Sequence, residues 1–142
     1  MFAAFPLLAL PVLVYNLALL GMAGGLSTLD APAKLSGSLF TIRMTSGGLW
    51  PVNLGDIFLA GSLIVLFIEL LKSTNSRNVA IINHSLSMIL FVACLVEFLL
   101  FKGFATSVFF LLTLMVLLDV LAGFIVTIVS SRRDIDFQGG HA

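Results

Sequence analysis

The chain has 142 residues, 60% of them apolar and only 10% charged, with seven basic and seven acidic side chains and zero formal net charge. Mean hydropathy is +1.18. A soluble domain carries about 25% charged residues, so this composition belongs to a membrane protein and offers no basic patch for nucleic acid. A single cysteine, Cys94, excludes a disulfide or a thiolate metal site within one chain.

The first apolar run predicts a membrane helix over residues 2–24. It has neither the basic start of a signal peptide nor a small-residue cleavage site ahead of a polar chain. Pro11 removes a backbone donor and is expected to kink this helix or delay its start, and Gly21, Gly24 and Gly25 end it. Asn16 lies inside it as a polar contact between helices.

A polar segment follows, and within it residues 38–53 read as a β-hairpin. Phe40, Ile42 and Met44 alternate on one side, Thr45-Ser46-Gly47-Gly48 turns the chain, and Trp50 and Val52 alternate again. Pro51 confines the second strand to an edge. An isolated hairpin is marginal in water, so Phe40, Ile42 and Trp50 are candidate packing or oligomerisation residues.

Asn53 is placed to cap the next helix, with Asp56 in its first turn, and a second span is predicted over 54–72. Ser73-Thr74-Asn75-Ser76 reads as a tight turn, followed by a third span over 77–101, closed by Lys102 and Gly103. The fourth span, 104–130, is about 40 Å long at the helical rise, more than the ~30 Å hydrocarbon core. A polar cytoplasmic tail, 131–142, completes one four-helix membrane domain. Short connections make spans two to four antiparallel neighbours. Lys72, Arg77, Arg132 and Arg133 lie at the membrane ends on one side, so both termini are expected in the cytoplasm and the hairpin outside.

Polar residues inside the spans fall on stripes. Asn83, Ser87, Leu90, Cys94, Glu97 and Phe101 share one face of the third span; Asp119, Gly123 and Thr127 share one face of the fourth; Ser62, Leu66, Glu69 and Ser73 share one of the second. Small and polar residues on one face mark packing surfaces of membrane helices, so the acids are expected to point inward. Asp119 is the candidate of greatest interest, either a buried carboxylate, protonated or hydrogen-bonded to Asn16 or a backbone carbonyl, or a proton- or cation-handling group. Glu97 is expected to pair with Lys102, and Glu69 with Lys72 near the inner end. His84, alone among the spans, reads as a polar contact near the cytoplasmic interface, with Glu69 as a partner; a single imidazole could also ligate a pigment or a shared haem.

No P-loop, nucleophile elbow, H-E-x-x-H or paired-cysteine motif is present, and no enzymatic activity is expected. Gly48-Leu49-Trp50 resembles the G-L-W segment of claudin outer loops, although the two cysteines that follow there are missing here. Leu54-Gly55-Asp56, Phe67-Ile68-Glu69 and Asp119-Val120-Leu121-Ala122-Gly123 resemble a type of short four-span bacterial inner-membrane protein; the resemblance implies that architecture and location and no activity. The expectation is a non-enzymatic integral membrane protein that self-associates or serves as an accessory subunit, in contact with membrane lipid and with copies of itself or a larger complex. An oligomeric proton or cation pathway through Asp119 and Glu97 is the alternative, and a lipid-, quinone- or pigment-binding subunit the second. No cofactor is implied, and lipid is the ligand left open.

Overall fold

A computed structural model describes residues 5–72 and 77–139. The protein is mostly helical, with helices α1 (Ala9–Leu20), α2 (Ala31–Leu35), α3 (Leu54–Lys72), α4 (Arg77–Leu100) and α5 (Ser107–Gly139), and one two-stranded sheet of β1 (Ser38–Arg43) and β2 (Leu49–Asn53). Helix α5 packs along both α3 and α4 and is the axis of the fold. Three helices are long and apolar enough to cross a membrane: α3, α4 from Ala80, and α5 as far as Arg133.

The predicted first span is much shorter than expected. Helix α1 has 12 residues, about 18 Å, against the ~30 Å of a hydrocarbon core. Pro11 sits in its first turn, where the missing N–H has no intrahelical partner to lose, so the helix begins only at Ala9. Beyond Leu20 the chain leaves the helix through Gly24 and Gly25, both at positive φ. Residues 2–4 of the expected first span, the turn at 73–76 and the last residues 140–142 lie outside the described residues.

The hairpin forms where alternation places it. Its strands pair antiparallel, with Phe40 opposite Val52, Thr41 opposite Pro51 and Ile42 opposite Trp50. Cross-strand partners share a face, so Phe40, Ile42, Trp50 and Val52 form one apolar surface. The turn closes through a Gly47 N–H to Met44 carbonyl bond of 2.9 Å, with Gly47 at φ +86°. At its base, the Leu54 N–H donates to the Gly37 carbonyl.

Helix α3 starts and ends where the sequence places it. Its cap differs in detail: the bond present is the return arm, with the Asn53 N–H donating to Asp56 Oδ2 at 3.0 Å. Gly55 lets this end approach α5; a Cβ there would lie 2.7 Å from Val108 Cγ2 and 3.3 Å from the Leu35 carbonyl oxygen.

Helix α5 departs from expectation at both ends. It starts at Ser107 rather than 104, because Thr106 caps it: Thr106 Oγ1 accepts the Phe109 N–H at 3.1 Å. At the far end, the residues expected as a tail from 131 continue the helix to Gly139. Arg132 and Arg133 end an apolar run without ending a helix, because arginine is itself a good helix former.

The core beneath the hairpin end is aromatic. The Tyr15 ring lies 4.9 Å from Phe109, 5.6 Å from Phe104 and 5.8 Å from Phe58, centroid to centroid. Its hydroxyl lies 3.1 Å from the Gly103 carbonyl, to which it donates, and 2.7 Å from Thr106 Oγ1. One phenol thus joins α1 to the α4–α5 connection and to the cap of α5.

A buried polar cluster between three helices

Toward the other end of the bundle, polar side chains replace aromatic ones. Glu69, Asn83, Ser87 and Asp119 are fully buried, and His84 is 8% exposed. They come from α3, α4 and α5, and all but His84 are members of the polar stripes.

Glu69 organises one half. Its Oε2 accepts the Leu7 N–H at 2.6 Å, its Oε1 accepts from the Asn83 amide, and Lys72 Nζ lies 3.3 Å from Oε1. Lys72 also donates to the Phe5 carbonyl at 2.6 Å. The Leu7 N–H lies at the start of α1, where backbone donors lack intrahelical partners and a carboxylate is electrostatically favoured. The expected Glu69–Lys72 pair is present, but its carboxylate is sealed inside rather than interfacial. Such a charge is held only when hydrogen bonds surround it, and three donors do so here.

Asp119 organises the other half. Its Oδ2 accepts from Ser87 Oγ at 2.5 Å, and its Oδ1 lies 3.8 Å from His84 Nδ1, beyond hydrogen-bonding distance. The expected partner Asn16 is elsewhere: it donates to the Val12 carbonyl at 3.1 Å and to Glu97 Oε2 at 3.3 Å. Glu97 therefore meets α1 instead of pairing with Lys102. His84 does not reach Glu69 either. Adjacent helical residues point about 100° apart, so Asn83 takes the direction of α3 and His84 that of α5.

Gly123 makes the His84 position possible, since a Cβ at Gly123 would overlap the imidazole. Thr127, one turn on, is exposed, and its hydroxyl donates to the Gly123 carbonyl at 2.9 Å. Beside the imidazole a groove of about 310 Å³ runs between α4 and α5, lined by Ile81, His84, Ser85, Met88, Gly123 and Phe124 among others. Among the described residues, the buried atoms left without a hydrogen-bond partner are His84 Nδ1 and Nε2, Asn83 Oδ1 and Asp119 Oδ1. All belong to this cluster.

The other candidates lie apart from it. Cys94 is fully buried on the same face of α4. Phe40, Ile42 and Trp50 are exposed on the hairpin. Ser73 and His141 fall outside the described residues. No group of three or more potential metal ligands occurs among the described residues. Tyr15 and Thr106 carry structural roles that stripe analysis passed over, since neither lies within the patterned polar faces of spans two to four; Ser-x-x-Phe spacing gives no cap signal, but a threonine just ahead of the apolar run at Ser107 could have given one.

Comparison with models of protein families, with curated proteins and with solved structures found no match.

Proposed function

We propose that the chain is a multi-pass integral membrane protein of the bacterial inner membrane, acting without catalysis as a self-associating or accessory subunit. The observation that carries this reading is the inversion of a soluble fold. Carboxylates, amide and hydroxyls are buried between the long helices, while Leu63, Ile64, Phe67, Ile89, Leu99, Phe124 and Ile125 are exposed on their outer faces. An apolar exterior of this extent requires an apolar solvent.

The hydroxyls support the same reading. Ser62, Ser85, Thr113, Thr127 and Ser131 each donate to the carbonyl four residues earlier in their own helix. Polar groups satisfied within one helix carry little cost in hydrocarbon. Helix α1 then enters the bilayer without crossing it alone, and the hairpin stands outside.

Self-association is supported by the hairpin. Both of its strands are edges, and Phe40, Ile42, Met44 and Trp50 are exposed along one face. A second copy could extend the sheet or cover that face. Carbonate extraction of membranes, followed by mass measurement in mild detergent, tests both parts. Resistance to extraction and a mass of two or more chains is the expected result; release by carbonate, or a monomer with no retained partner, overturns the respective part.

A second reading is favoured by one observation, the full burial of Asp119 with its Oδ1 3.8 Å from His84 Nδ1. Intramembrane acids commonly mark proton or cation routes. In proteoliposomes, that reading predicts a pH-dependent flux lost in Asp119→Asn with assembly intact, and absence of flux in the parent protein excludes it.

A further inference from the structure

The groove between α4 and α5 has the features of a ligand site. We propose that it binds a lipid-soluble molecule whose uncharged head group presents a carbonyl or hydroxyl oxygen to His84. Quinones and neutral glycerides both carry that chemistry.

The first argument is the imidazole. His84 is 8% exposed, and neither ring nitrogen has a partner. Leaving a buried polar group unpaired is costly, and folded proteins seldom do so. Here the space for the ring is made by Gly123, because a Cβ at that position would overlap it. Asp119 sets its Oδ1 3.8 Å from Nδ1, which leaves Nε2 as the nitrogen for an incoming group.

The second argument is what surrounds the imidazole. Ile81, Met88, Val120 and Phe124 make the groove walls apolar. The two wall hydroxyls, Ser85 and Thr127, already donate to the Ile81 and Gly123 carbonyls at 2.9 Å each. The ligand therefore meets one strong polar contact in an apolar setting, the usual composition of a small-molecule site. Phe124 and Met88 suit a flat head group, through ring stacking and thioether contact. A volume of about 310 Å³ admits one ring or one glycerol head, with the tail left among the exposed side chains Ile81 and Phe124. An apolar groove of this kind disfavours a charged head group of either sign, so the ligand is neutral.

Depth is the third argument. His84 is seven residues into α4, about 10 Å along its axis. An amphiphile in a bilayer rests its head group near that level and its tail further in. Both nitrogens are closed to solvent as the side chains stand, so entry requires a flexible wall residue such as Met88 to turn aside.

The site rests on the membrane reading, and the experiment separates the two. The full chain carrying His141→Gln keeps His84 as its sole histidine, since the sequence has two. It is labelled with nitrogen-15 in the imidazole, placed in phosphatidylcholine nanodiscs and titrated separately with decylubiquinone and with dioleoylglycerol. Failure to incorporate would count against the membrane reading. Saturable movement of the His84 nitrogen resonances with either amphiphile is the expected result, and the amphiphile that acts identifies the source. Affinity should fall at least about tenfold in His84→Phe, which fills the ring volume without its hydrogen bond, and in Gly123→Ala. Unmoved resonances with both amphiphiles, or equal saturable uptake by His84→Phe, overturn the proposal. Should Gly123→Ala fail to fold, the titration of the parent and the His84→Phe comparison decide it.

Discussion

Ser87 and Asp119 join α4 to α5 through a 2.5 Å hydrogen bond in a fully buried setting. It is the only contact that satisfies Asp119 among the described residues, since Oδ1 has no partner. Ser87→Ala should therefore destabilise the bundle by about 1–2 kcal/mol, and Asp119→Ala by no less. Because the two side chains act as one unit, the double variant should cost clearly less than the sum. Denaturant titration of the helical signal in detergent measures all three, and strict additivity would falsify the coupling.

Gly55 sets how closely α3 can approach α5. A Cβ there would stand 2.7 Å from Val108 Cγ2, so Gly55→Ala should cost about 1–3 kcal/mol by overpacking. Adding Val108→Ala removes the clashing methyl and should recover part of that loss. No recovery in the double variant would place the cost on the nearby Leu35 carbonyl instead.

Cys94 offers a clean accessibility probe because it is the single cysteine and is fully buried. Membrane-permeant maleimide should leave it unmodified until the protein is unfolded. In a Cys94→Ala background, Thr41→Cys on the exposed hairpin should react with an impermeant maleimide from the outside of intact cells. Labelling only after the cells are opened would reverse the proposed orientation.

The hairpin face gives a test of association that leaves the helices untouched. Ile42 and Trp50 are cross-strand partners and both exposed. Replacing both with serine should reduce the mass in mild detergent to that of one chain while the helical signal stays constant. An unchanged oligomer would move the interface to the helices.

Much of this architecture was legible in the residues. Period-two alternation around Ser46-Gly47-Gly48 located the hairpin, and turn glycine with edge proline agreed with it. The bounds of α3 followed from a cap signal at one end and lysine at the other. The first span was overestimated because hydropathy counts residues without asking where a helix can begin, and Pro11 and the glycines shorten it from both sides. Helix α5 runs past the predicted end of the fourth span because charge marks where an apolar run ends, whereas a helix of arginine, aspartate and glutamine continues through it.

The candidate site was legible only as a set of faces. Stripes identified Glu69, Asn83, Ser87 and Asp119 as inward, and that is where they lie. Pairing depends on the relative rotation and height of helices, which no single stripe contains. Hence Asn16 meets Glu97 rather than Asp119, and Asn83 rather than His84 meets Glu69.

The axial position of α5 has a consequence for how the protein is made. Ser87 finds its partner on a helix that leaves the ribosome after α4, and His84 its seat there. On the proposed membrane reading, until residue 123 has entered the bilayer α4 carries these groups with no counterpart, a state that hydrocarbon penalises. Biogenesis should therefore stall α4 at the insertion machinery until α5 arrives, and chains truncated before Ser107 should be substrates for membrane proteolysis rather than stable fragments.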